Sequence, residues 1–323
     1  MRLIDTPENG GYPSEYLLAR LRGRRTKTFS AWDEIIFHAD PSEYLLKTQY
    51  GEFTEKYAAE GLWITLLREY QWVYRQMNSA AKHTFIPFFS FCEIQTLLAC
   101  LRYKSKKDTG GHIGHLLSFS LLSQKIKEIL LSHEDLSATV EALDNYMLTD
   151  MVPAGHLTHT LSKQGMAGVE QDLTALFFDT QEPKMLHPVL QLFFSFMADA
   201  INLVSLYKRI RWGIEAPLKL VSGGHIRSSV IKKILLERDM EALTGLIKKT
   251  TGKETEDQGM TRIENMLYDR LTNRIGTAAR DEPETGFILH YLWSAYIDVQ
   301  NLSIILRGKH MERDVLREEL TGL

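Results

Sequence analysis

Three acidic residues sit in the most apolar stretches of the chain, where a carboxylate is expensive: Glu93, Asp199 and Asp298. A buried carboxylate can move a proton, ligate a cation or accept hydrogen bonds from groups that have lost water. Each is followed three residues later by a short polar residue, Thr96, Asn202 or Asn301. Each is followed nine residues later by a base, Arg102, Lys208 or Arg307. A spacing of three puts the first two groups on neighbouring parts of one helical face. Arg307 comes close to a helix end, where the macrodipole favours a cation, and Gly308 can supply the cap. If each carboxylate occupies an equivalent place in its own repeat, the three are spread over modules and do not converge. Hydrogen bonds that satisfy buried polar groups then explain the repetition better than an active site, and catalysis is not supported.

Other chemistries find less support. His112 and His115 are three apart, as are His156 and His159, and either pair needs a third ligand to hold a metal. No His-Glu-x-x-His or Cys-x-x-Cys strengthens that reading, and structural or exposed histidines are the simpler account. Gly110-Gly111 and Gly223-Gly224 lack the Lys-Ser/Thr that makes a glycine loop a phosphate cradle, so they read as bends between helices. Neither a dinucleotide fingerprint nor a nucleophile elbow occurs, and no cofactor is expected. Cys92 and Cys100 lie eight apart within one expected helix, too far along it for a disulfide, and read as buried free thiols. A net charge of -3 argues against a general nucleic-acid binder.

The elements that must position these residues are helices. From Phe287 to Arg307, Ile288, Tyr291, Leu292, Ala295, Val299, Leu302 and Leu306 recur every three or four residues, the spacing of one buried helix face. Comparable long helices carry Glu93 and Asp199. Each follows a shorter segment with a leading acid, Glu60, Glu170 or Glu264, separated from the later carboxylate by 33, 29 and 34 residues. After the first two comes the same turn, GGHI, at Gly110–Ile113 and Gly223–Ile226. A threefold repeat of roughly 100 residues follows, with domains expected at 1–109, 110–218 and 219–323. Alternating strands are absent, so the expectation is an all-α protein, at least six residues in ten helical. The windows near 85–101 and 190–206 contain Glu93, Gln95, Asp199 and Asn202, which favours core helices over membrane spans.

Local expectations are more specific. Tyr16–Lys27 is read as a helix with Tyr16, Leu17 and Leu21 inward, and Phe53–Met77 as one segment. Pro87 is placed in the first turn of its helix, Ala279–Gly286 is read as a loop, and Lys249–Gly259 as an exposed mobile loop. Arg20, Arg22, Arg24, Arg25 and Lys27 form the strongest basic cluster, suited either to a solvated helix face or to contact with an acidic partner.

Taken in order, these landmarks carry a resemblance. The opening YLLARLRGRRTK has Tyr16, Ala19, Arg20 and Arg22 in a Tyr-x-x-Ala-Arg-x-Arg pattern, and LLKTQY at Leu45–Tyr50 supplies the next landmark. The Asp199/Asn202 and Asp298/Asn301/Arg307-Gly308-Lys309 segments match acidic-x-x-Asn…Arg-Gly-Lys helices. The chain resembles, over almost its whole length, the central-stalk C-type subunit of V-type (A/V-type) ATPases, equivalent to the d-type subunit of the eukaryotic V-ATPase. Glu93/Thr96 and Lys208-Arg209-Ile210 depart from the pattern. The resemblance implies three similar helical-bundle domains arranged as a pseudo-threefold funnel on the cytoplasmic face of the membrane proteolipid ring (the c-ring). It implies a peripheral, non-catalytic component that holds the shaft made by the D and F subunits. Such a component couples ATP-linked rotation to proton or sodium movement without binding nucleotide. A helical scaffold outside any rotary ATPase is the alternative, and an all-α metal enzyme using a histidine pair is a third class.

Overall fold

A computed structural model describes the chain except residues 2, 7–9, 26–28, 58, 107–110, 133–134, 149–150, 182, 216, 255–258 and 323. It is 76% helical, with 16 α-helices and no strands among the described residues. One isolated bridge joins Ile4 to Leu122. The helices are α1 (Ser14–Arg25), α2 (Trp32–Phe37), α3 (Pro41–Leu46), α4 (Gly51–Tyr57), α5 (Ala59–Gln76), α6 (Ser79–Ser105), α7 (His112–Phe119) and α8 (Gln124–Ser132). They continue as α9 (Leu136–Met147), α10 (His156–Asp179), α11 (Pro188–Trp212), α12 (Ser228–Glu237), α13 (Met240–Thr251), α14 (Met260–Asp281), α15 (Thr285–Arg307) and α16 (Arg313–Glu318). The chain divides into two compact units: residues 1–11, 70–187 and 216–223 form one, and residues 12–69, 188–215 and 224–323 the other.

In the first unit, Tyr70 meets Phe88 and Phe89 edge-on, and Phe91 meets Phe177 and Phe178. Helix α10 is interrupted at Gly165, whose φ of 65° only glycine adopts readily. Across that break Thr160 donates to Asp172 at 2.7 Å, and Lys219 donates to the other oxygen of Asp172 at 2.7 Å.

The second unit is built on α14 and α15. Trp293 is almost wholly buried, stacks on Tyr296 at 5.1 Å and donates its indole N–H to Thr272 at 2.8 Å. Such a ring combines a large apolar area with one polar handle that must be satisfied. Of the expected inward face of α15, Ile288, Tyr291, Leu292, Val299 and Leu302 are buried, while Ala295 and Leu306 are half-buried. The C-terminal tail is tied down by Asn301, which donates to the Thr321 carbonyl and accepts its amide, both at 2.9 Å.

Several expectations give way. Pro87 lies well inside α6, which starts at Ser79 behind an Asn78 cap; the polar run 82–84 hid that start. Helix α14 runs to Asp281 and α15 begins at Thr285, so most of the expected loop is helical. Tyr16 is exposed, whereas Leu17 and Leu21 are buried as expected. The segment 53–77 is shared between α4 and α5. Of the expected loop 249–259, the first three residues complete α13, and 255–258 lie outside the described residues. Helices α6 and α11 are long and apolar enough to cross a membrane by length and composition, yet 67% of each apolar window is buried inside the fold. Of the two thiols expected to be buried, Cys100 is buried and Cys92 is only half-buried.

Candidate functional site

The three carboxylates have one job in common. Glu93, on α6, accepts the Ser120 hydroxyl at 2.6 Å and the Leu121 amide at 2.5 Å. Asp199, on α11, accepts the amides of His225 and Ile226, each at 3.0 Å. Asp298, on α15, accepts the Phe29 amide at 3.2 Å. In every case a buried acid on a long helix holds the backbone of an irregular segment that leads into a short helix: α8 after 120–121, α12 after 225–226 and α2 after 29. Amides that leave water need such an acceptor, and a charged acceptor makes the stronger bond. The third long helix thus serves the start of the chain, as the first and second serve the segment that follows them.

The bases and leading acids, far apart in the sequence, meet in space. Arg102 forms a two-pronged pair with Glu170 at 2.6 and 2.7 Å, and Lys208 approaches Glu264 at 3.5 Å. Arg307 is exposed at the end of α15. The middle residues Thr96, Asn202 and Asn301 are all buried. Thr96 bonds to Glu93 itself, whereas Asn301 clamps the C-terminal tail.

The two GGHI turns are not equivalent. His225 and Ile226 dock on Asp199, and a Cβ added to Gly224 would lie 2.2 Å from the Asp199 carboxylate, so the turn must come this close without a side chain. In the first copy, Gly111 takes a φ of 85° as the residue before α7, and His112 stacks on Tyr103. Glu93 instead takes Ser120 and Leu121. Gly110 lies outside the described residues.

One pattern emerges only with the helix boundaries in place. The short helix after each held segment ends alike: Asp33-Glu34-Ile35-Ile36-Phe37 in α2, Lys127-Glu128-Ile129-Leu130-Leu131 in α8 and Lys232-Lys233-Ile234-Leu235-Leu236 in α12. The Ile35, Ile129 and Ile234 side chains are buried, while Phe37, Leu131 and Leu236 are 57%, 61% and 86% exposed. Shortly after comes an aspartate that caps the next helix, Asp40, Asp135 or Asp239, accepting from Ser42, Ala138 or Ala242. The shared signal is an apolar triplet followed by an N-cap aspartate, too short to stand out in the sequence.

The basic start divides. Arg24 forms a two-pronged ion pair with Glu69, which also accepts the Tyr291 hydroxyl at 2.7 Å. Arg20 lies over the Tyr16 ring and Arg22 over Phe287. The Arg25 side chain and Lys27 lie outside the described residues. Arg24, Glu69, Tyr50, Tyr291 and Asp298 line a cavity of about 50 Å³, room for little more than a water molecule or two. Burial pushes the Asp298 carboxyl up to about 7, opposed by the Phe29 amide. Burial also raises Glu93, opposed by Ser120, Leu121 and Thr96. Among the described residues no group of three or more His, Cys, Asp or Glu side chains is placed to hold a metal. The carboxylates are committed to backbone amides of three different segments, which is chemistry for holding a fold.

No individual curated protein matches the chain. The family model for the ATP synthase (C/AC39) subunit matches residues 17–319, which span every helix that carries one of the repeated carboxylates, bases and leading acids. The chain therefore belongs to the C/AC39 family, the family of the C-type and d-type subunits of V/A-type ATPases.

Proposed function

We propose that the chain is the central-stalk coupler that joins the D–F shaft to the membrane proteolipid ring. Family membership supports a place in a V/A-type ATPase, as a stalk component without catalysis of its own. The observation that carries the finer reading is the set of carboxylate-held turns. They recur at 120–121, 225–226 and 29, and each ties an irregular segment to a long buried helix. A part that transmits torque needs stiffness and broad surfaces more than a pocket, and close-packed helices resist continuous deformation. In this reading the repeats expected at 1–109, 110–218 and 219–323 build the funnel that the resemblance implies. The chain lies peripherally on the cytoplasmic side, turns with the rotor during ATP-linked proton or sodium transport, and binds neither nucleotide nor nucleic acid.

The test is assembly. Purified chain is mixed with phosphatidylcholine vesicles that contain or lack the proteolipid ring, and separately with the D–F complex. Saturable binding to ring-containing vesicles and to D–F is expected. Equal binding to bare neutral vesicles would reject attachment through protein, and failure to join either partner would reject the coupler role.

A further inference from the structure

The three matching helix tips keep an exposed apolar residue while the charges beside it change sign. In α2 the flanking residues are acids already engaged within the unit. Asp33 pairs with Arg317 at 3.2 Å, and Glu34 accepts the Tyr44 hydroxyl at 2.8 Å. In α8 they are Lys127, which donates to the Ser120 carbonyl at 2.7 Å, and Glu128, which accepts from Gln124 at 3.3 Å. In α12 both are lysines, Lys232 and Lys233, and both are exposed. Arg227 precedes this helix and Arg238 follows it, both exposed, while Glu237 is its only acid. The Asp239 carboxylate beyond is occupied as the cap of α13.

Helix α12 buries Ile231 and Ile234 and half-buries Leu235, and its other residues are exposed. Its outer side therefore sets Leu236, 86% exposed, between Lys232 and Lys233, with Val230, 41% exposed, at its edge and the exposed Arg227 and Arg238 at its two ends. Apolar side chains set beside cations suit the boundary of a bilayer, where the cations meet lipid phosphates and the apolar groups sit just below them. An acidic protein would answer the cations, but Leu236 would then need a fitted cleft as well. A bilayer answers both without shape matching.

We propose that α12 rests its outer side on an anionic lipid surface through Lys232 and Lys233, aided by Arg227 and Arg238 at its ends, with Leu236 dipping below the phosphates. The contact goes beyond the coupler reading and does not depend on the ring. Helix α2, with the same apolar tip and acids in place of lysines, makes no such contact. Four cations and one inserted apolar side chain give a weak, salt-sensitive association that orients a protein rather than anchoring it.

Flotation of the purified full chain tests this. At low ionic strength it is expected to rise with equimolar phosphatidylcholine and phosphatidylglycerol vesicles, to stay behind with phosphatidylcholine alone, and to be released by salt. The Lys232→Glu/Lys233→Glu double variant should lose vesicle affinity by at least ~10-fold, and Leu236→Ser by ~5-fold. Lys163→Glu/Lys184→Glu makes the same charge change at exposed positions elsewhere and should float as the parent does. The proposal is overturned if anionic and neutral vesicles bind alike, if the α12 double variant floats normally, or if the control variant loses as much. A parent chain that ignores vesicles, paired with a double variant that no longer joins the ring, would assign α12 to an acidic protein partner instead. Ring binding measured in neutral lipid reads the coupler role separately, because that lipid offers α12 no charge.

Discussion

Asp199 and Asp298 occupy matching places on two long helices of the same unit, yet their surroundings differ. Asp199 gives one oxygen to each of two consecutive amides, and Gly224 lets the backbone come close enough to make both bonds. Asp298 has the single Phe29 amide at 3.2 Å and borders a small cavity with Tyr50 and Tyr291. Burial raises Asp298 to about 7, so near neutrality it exchanges a proton while it holds the turn. The place on the helix therefore sets which segment is held, while burial against a single amide donor raises Asp298.

The largest expected effect breaks the stronger junction. Asp199→Ala leaves two half-buried amides without their charged acceptor and should cost ~3–5 kcal/mol. A denaturant midpoint that does not move would show that water replaces the carboxylate.

Asp298→Asn sharpens the comparison. The Asp298 pKa rises on folding from 3.8 to about 7, so the folded chain holds this proton more tightly than the unfolded one. Its contribution to stability is fully present below pH ~4, falls as pH rises and is gone above pH ~7. Asparagine can still accept the Phe29 amide and has no charge to bury. The variant should match or exceed the parent at pH 8, and the parent should lose ~2–4 kcal/mol more than the variant between pH 4 and pH 8. Parallel pH profiles of melting temperature would refute this. Glu93 shifts in the same direction in both proteins and cancels in the difference.

Much of this arrangement was legible in the sequence because it rests on helical spacing. Acid, polar residue and base at intervals of three and six mark the buried face of each long helix, and the structure buries Glu93, Asp199 and Asp298 there. What each acid holds was not legible, because that depends on contacts such as Phe29 with Asp298, 269 residues apart. Identity of four letters misled at GGHI, where one copy docks on a carboxylate and the other starts a helix. Arg24 reads as one of five surface cations until Glu69 and Tyr291 close around it. The helix tips went unread because an exposed Phe37 or Leu236 breaks the rule that marks inward faces.

Asn301→Ala probes the tail. It removes both bonds to Thr321 at a buried position and should cost ~1–3 kcal/mol. Unchanged thermal and denaturant midpoints would count against it. The smallest effect belongs to the ion pairs: Lys208→Ala should cost ~0–1 kcal/mol, because Lys208 and Glu264 remain partly in water. A loss well above that in chemical denaturation would make the pair a true joint between α11 and α14.

The coupler proposal has this non-catalytic stalk component joining two partners. Its most direct test is the purified chain presented with solubilised proteolipid ring and D–F complex together, followed by size-exclusion chromatography. One particle containing all of them is expected, and only when this chain is present. Ring and shaft that associate equally well without it, or a chain that elutes alone, would contradict the account.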